Sequence, residues 1–239
     1  MRNTKIISIL FGLILLTGCT TYRSFNVSVD SICTSSAQEK KAYILLPGNK
    51  DDKINDLQFQ EFAAYTENAL NAQGFKKASS IDDAEVAILL YYGISDPQFY
   101  EYTYSLPIYG QTGVSSSTTS GMVNLFGRSV TYSENTNYTP SYGVVGSSTH
   151  VGTGVVFARY MVISGVDLEQ FKKTGKIEDA QEIWSTKANS VGASGDLREI
   201  FPILLVASQK HIANNTGKQV SYSIQEDEEL SQKVNALRH

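Results

Sequence analysis

Phe25, Val27 and Val29 alternate with Asn26, Ser28 and Asp30. A period of two is that of a strand with one buried face. Residues 42–48 ("AYILLPG") form a continuous apolar run closed by Pro-Gly, which reads as a buried strand. The spacing then changes. From Asp56 onward, Phe59, Phe62, Ala63, Thr66, Ala69 and Leu70 recur every three or four positions, predicting a helix over 57–73. Asp56 is placed to cap its start and Gly74 to end it. A short strand at 75–78 and a buried strand at 84–94 follow.

Beyond residue 150 the pattern resumes. Residues 155–168 predict a long strand, "KKTGK" (172–176) a turn, and 182–191 a strand carrying Trp184, the two strands pairing as a hairpin. Asp196 and Glu199 have capping-box spacing at the head of a second helix. Pro202 falls either in its early turns or at its true start, and Asn214, Asn215 and Gly217 supply the stop. Residues 220–224 alternate again, and 227–237 place Leu230, Val234 and Leu237 on one side of a last helix. The order is β-β-α-β-β, insert, β-β-α-β-α. It predicts an α+β fold: a two-layer sandwich of a mostly antiparallel sheet with two main helices.

The insert, 98–150, is different in character. Its only formal charges are Glu101, Arg128 and Glu134, and Ser, Thr, Gly and Tyr dominate. The composition predicts a β-hairpin-like segment with loose loops. If the chain is extended, Tyr100, Tyr102, Tyr104, Leu106 and Ile108 share one face. Tyrosine offers rigid apolar area plus a hydroxyl, and Ser and Gly adapt around it. Tyr100, Tyr102, Tyr104, Tyr109, Tyr138 and Tyr142 are therefore the candidate partner surface. The other reading is that these rings pack on their own sheet.

The first eighteen residues have the layout of a secretory signal peptide: Arg2 and Lys5, an apolar run over 6–16, then small residues. Eleven helical residues rise only about 16 Å, roughly half a bilayer's hydrocarbon thickness. Leu16-Thr17-Gly18-Cys19 resembles the lipobox of bacterial lipoproteins. That resemblance implies recognition through Leu16, Thr17 and Gly18, cleavage after Gly18, diacylglycerol on the Cys19 sulfur and acylation of the new amino terminus. Thr20, where an acidic residue favours inner-membrane retention, implies outer-membrane delivery with the domain facing the periplasm. The expected organisation is a signal peptide (1–18), a lipidated tether (19–23) and one α+β domain (24–239) with the insert.

Removing residues 1–18 takes away two of twenty basic residues. It leaves 18 basic against 24 acidic, a net of −6. An acidic chain without a basic patch argues against a nucleic-acid partner. With Cys19 acylated, Cys33 is left as a free thiol, an intermolecular partner, or a small buried apolar residue.

No catalytic set emerges. His150, His211 and His239 lack a nucleophile and an orienting acid at recognisable spacing. His211 lies near a helix C-terminus, where a partly protonated imidazole suits the dipole. The carboxylates of 51–56 and 225–229 do not match a calcium loop, and no histidine pair has zinc spacing. Gly152-x-Gly154 precedes a strand rather than the helix that a phosphate loop needs. The expectation is no enzyme activity, no cofactor and no metal.

The segments "YILLPG", "AQGF", "DDAEVAILLYYGI", "SYGVVG" and "EIWSTKANSVGASGDLREIFPILLVASQKHIANNTGK" together resemble bacterial outer-membrane lipoproteins that share a periplasmic domain of unknown function. The resemblance spans most of 40–225 and carries no catalytic residues with it. The stretch 98–135 is longer than that family leads one to expect. Three functions follow as expectations: a lipid-anchored binding or scaffold module in an envelope complex, a membrane-inserting or pore-associated oligomer, and an envelope enzyme acting on glycans.

Overall fold

A computed structural model describes residues 22–126, 129–175 and 180–238. The side chains of 118–135 and of Tyr138 are not among them. Leu16, Thr17, Gly18, Cys19 and His239 lie outside the described residues.

The elements run β1 (Ser24–Cys33), β2 (Ala42–Pro47), α1 (Leu57–Ala72), β3 (Lys76–Lys77), β4 (Val86–Ile94), β5 (Gln98–Phe126), β6 (Ser129–Asp167), α2 (Glu169–Thr174), β7 (Gln181–Gly192), α3 (Leu197–Ser208), β8 (Val220–Gln225) and α4 (Glu228–Ala236). The sheet order is β3-β2-β4-β6-β7-β1-β8, with β5 paired to β6. β2 pairs parallel with β3 and with β4, whereas β1 with β7 and β8, and β6 with β4 and β7, pair antiparallel. The fold is α+β with a mostly antiparallel sheet, as the periodicity predicts.

Two compact units make up the chain. One comprises the residues up to Gln98 together with Val156–His239, and the other is Phe99–Val155.

In the first unit, alternation decides which face is buried. Phe25, Val27 and Val29 of β1 point into the core, as do Met161 and Ile163 of β6. α1 adds Phe59, Phe62, Ala69 and Leu70, and α3 adds Ile200, Phe201 and Leu204. Phe62 stacks on Phe201 at 4.1 Å and meets Tyr92 edge-on at 4.7 Å, tying α1, α3 and β4 together. The predicted hairpin forms: β6 and β7 pair from Phe157↔Gly192 to Asp167↔Gln181, with a bulge at Gly165/Val166. There the Trp184 indole lies over Gly165, where a Cβ would collide with it.

Several local expectations change. Asp56 precedes α1 but does not cap it; its carboxylate accepts from the Lys53 N–H at 2.7 Å. Asp196 does cap α3, accepting from the Arg198 N–H at 2.9 Å, but the reciprocal half of the box is absent. The Asp196 N–H goes to Ser194 Oγ, because the Glu199 carboxylate is engaged by the Ser194 hydroxyl and by Arg23. α3 starts at Leu197 and runs through Pro202, which is buried. The predicted turn at "KKTGK" holds the end of α2, closed by Gly175 in the left-handed region (φ 68°). Phe171 of that helix covers a small apolar cluster of Ala84, Ala87 and Leu168. Cys33 is a half-buried free thiol packed against the main core.

The second unit is a two-stranded ribbon. Ser115 Oγ reaches the Thr139 carbonyl, Thr112 the Ser141 carbonyl, and Tyr102 lies over Gly152, so β6 retreats as β5 advances. The expected loose loops are continuous strand over the described residues, since Ser, Thr and Gly fill the polar alternation without breaking it.

Candidate functional site

The ribbon presents a row of rings. Tyr100, Tyr102 and Tyr104 stand at every second residue of β5, which puts them on one side. Their centroids are 6.1 and 6.0 Å apart. His150 of β6 extends the row, stacked on Tyr104 at 5.6 Å and 23°.

The seats of the rings are glycines. Tyr100 lies over Gly154 and Tyr102 over Gly152, where a Cβ would stand 2.7 Å from the Tyr102 Cζ. Only glycine leaves the ring that close to the neighbouring backbone, a pairing that also shields the bare strand. Tyr100 and Tyr102 cover these glycines, Tyr104 stacks on His150, and the three tyrosines stay 49%, 48% and 43% exposed. Leu106 and Ile108 continue the same side, about equally exposed. The unit's rings pack on one another and on glycine, and the row stays open to solvent.

Alternation along β5 places Tyr109 on the opposite side of the ribbon from the row, and Tyr109 and Tyr142 are both 72% exposed. The six tyrosines of the candidate surface are therefore not one patch: three form the row, Tyr109 lies behind it, Tyr142 stands eight residues before His150 on β6, and the Tyr138 side chain lies outside the described residues. The sequence reading missed His150 and the two glycines as parts of this surface. The available signal was a glycine pair at the same two-residue spacing as the tyrosines.

Ser148 Oγ and His150 Nε2 lie 2.9 Å apart. No acid completes a triad. Glu101 is the one formal charge among the described side chains of this unit, and alternation puts it on the side away from the row.

The first unit carries its own polar group at the head of α3. Arg159 is 2% exposed. Its guanidinium donates to the Phe157 and Ser194 carbonyls and to Ser190 Oγ, each at 3.3 Å, while its Nε has no partner. Burial lowers its pKa. The Ser194 hydroxyl, and then Arg23, hold Glu199 below the usual carboxylate range. This group ties β1, β6 and α3 together, and its one hydroxyl–carboxylate pair, Ser194 with Glu199, is joined by Arg23.

His211 follows α3 in a short 3-10 turn, and its Nε2 lies 2.7 Å from the Tyr222 hydroxyl. Burial, then the charge of Lys210, pull its pKa down. That runs against the expectation of a partly protonated imidazole. A cleft of about 440 Å³ lies nearby, lined by Lys210, Tyr222, Asp227, Leu230 and Lys233. No group of three His, Cys, Asp or Glu among the described residues is arranged to hold a metal. No helix among them is long and apolar enough to cross a membrane.

No family model matches the chain, and none of the curated proteins does. Among solved structures it is similar to a PDZ domain protein from Parabacteroides distasonis, at 12% identity and a TM-score of 0.42. That likeness covers 86% of this chain and 40% of the other, so the chain spans less than half of that protein.

Proposed function

We propose that this chain is a lipid-anchored, non-enzymatic binding module of the bacterial cell envelope, which engages a partner through the ring row of its ribbon. The observation that carries the reading is the row itself: Tyr100, Tyr102, Tyr104 and His150, in contact and half open to solvent on a surface nearly free of charge. Flat amphipathic rings bury large area on contact at low entropic cost, and they are enriched where proteins meet partners. The anchor is supported by the lipobox-like Leu16-Thr17-Gly18-Cys19. Acyl chains contribute about 0.8 kcal/mol per buried CH₂, enough in combination for stable attachment.

Two experiments test the two halves. An alkyne-tagged palmitate fed to cells should label the wild type and not Cys19→Ser; equal labelling ends the anchor reading. A photo-crosslinker at Tyr102 should give a discrete protein adduct in living cells, with none from Lys172 on α2. No protein adduct, or adducts to lipid alone, would replace the binding reading with the membrane-inserting one.

A further inference from the structure

The ribbon has edges as well as faces, and one edge is unlike the other. Before Phe157, where pairing with β7 begins, the strand beside β6 is β5. Over 141–155 the far side of β6 therefore presents backbone N–H and C=O groups with no strand next to them among the described residues.

Folded proteins blunt such edges with charge or proline, because an open edge is a template for another strand. β5 follows that rule, with Glu101 and Pro107 in its exposed half. β6 does not. Its stretch "SYGVVGSSTHVGTGV" (141–155) holds no Pro, Asp, Glu, Lys or Arg, and it includes Val144, Val145, Val151 and Val155. Its four glycines lower the strand propensity, but with neither charge nor proline nothing on this edge blocks the approach of another strand. It is also far longer than the usual strand of about 5–6 residues. A two-stranded ribbon is by itself only marginally stable, so a third strand against β6 would add the pairing that it lacks.

We propose that this edge of β6 pairs antiparallel with the same edge of a second copy of the chain, about a two-fold axis. An isologous contact of this kind needs only one sequence, since wherever residue i of one copy meets j of the other, j meets i in turn. The main obstacle to identical strands meeting is like charge directly opposite like charge, which destabilises cross-strand pairs. Here there is none to oppose. The same lack of charge leaves nothing at this edge to attract an acidic or basic partner, so backbone pairing carries the contact. The contact uses strand edge, not the ring row, so the dimer and the partner surface are separate claims.

The test is a disulfide scan on the full-length chain in living cells, in a Cys33→Ser background. Ser147→Cys, Ser148→Cys and Thr149→Cys sample the middle of the edge, and Thr103→Cys on β5 is the control. At least one of the three should give a disulfide-linked band of twice the chain's mass, and the control none. In detergent solution, light scattering on the wild type should give two chains per particle, and Thr149→Lys/Val151→Lys should halve that mass. A monomer at every concentration without a disulfide band would overturn the proposal. So would a band that forms equally from Thr103→Cys, a disulfide to a different protein only, or a dimer that survives both lysines.

Discussion

Both units of this chain are rich in aromatic rings, and they use them in opposite ways. In the first, Phe62, Phe75, Tyr92, Trp184 and Phe201 interlock across α1, α3 and the sheet and are almost wholly buried. In the second, Tyr100, Tyr102 and Tyr104 touch in sequence along one strand, the first two seated on glycines and the third stacked on His150, all about half exposed. The chemistry is the same, but the balance of free energy is not. Burial stabilises at about 25 cal/mol per Å² removed from water, so a ring with half its surface still exposed has part of that contribution left to make. The core rings spend it on folding, whereas the ribbon rings leave about half of it unused.

The contrast breaks most readily at Phe62. It is fully buried between Phe201 and Tyr92, so Phe62→Ala leaves a cavity that neither neighbour can close. Denaturant unfolding should show a loss of about 3–5 kcal/mol, and a loss near zero would mean that the aromatic cluster does not hold α1 to the sheet. Asp196→Ala should cost about 1 kcal/mol, because it removes the acceptor for the Arg198 N–H at the head of α3. If Ser194 takes over the cap, the measured loss falls below that.

His211 gives a smaller effect with a defined sign. Its folded pKa lies below the unfolded value of about 6.5, so the unfolded chain binds more protons in mildly acid solution. Stability therefore rises with pH there. The contribution is complete above about pH 6.5 and is lost as pH falls through the lowered folded pKa. His211→Gln should flatten that part of the melting-temperature profile. An unchanged slope would mean that the imidazole is not desolvated against Tyr222.

The core was legible in the sequence because its signals are local. The alternation of Phe25, Val27 and Val29 and the three-four spacing of α1 each follow from one element burying one face. α1 ends at Ala72, one residue before the predicted 73. Misread features depended on distant residues. The Asp56 carboxylate turned to the Lys53 amide, Glu199 was taken by Arg23 from β1's approach, and burial beside β8 pulls the His211 pKa down. α2 was read as a turn because six residues are too few to show a helical period. In the ribbon, the row of Tyr100, Tyr102 and Tyr104 followed from spacing alone. The glycine seats did not, because Tyr100 meets Gly154 only once β5 and β6 are in register.

The smallest stability effect is expected where the functional effect is largest. Replacing Tyr100, Tyr102 and Tyr104 together by Ser keeps a polar hydroxyl at each position and removes only half-exposed rings. Surface changes of this kind usually stay within about 0.5 kcal/mol each. The first unit contains none of these residues, so its main unfolding transition should hold its midpoint. A photo-crosslinker placed at Leu106, which continues the same side of β5, should meanwhile lose its partner adduct in the triple variant. Gly154→Val offers a gentler form of the same test, because it keeps every ring but lifts Tyr100 from its seat. Adduct lost with the midpoint held would separate the two roles of the rings. A midpoint that falls as far as in Phe62→Ala would make the ribbon's tyrosines part of the fold and return the search for a partner surface to the core unit.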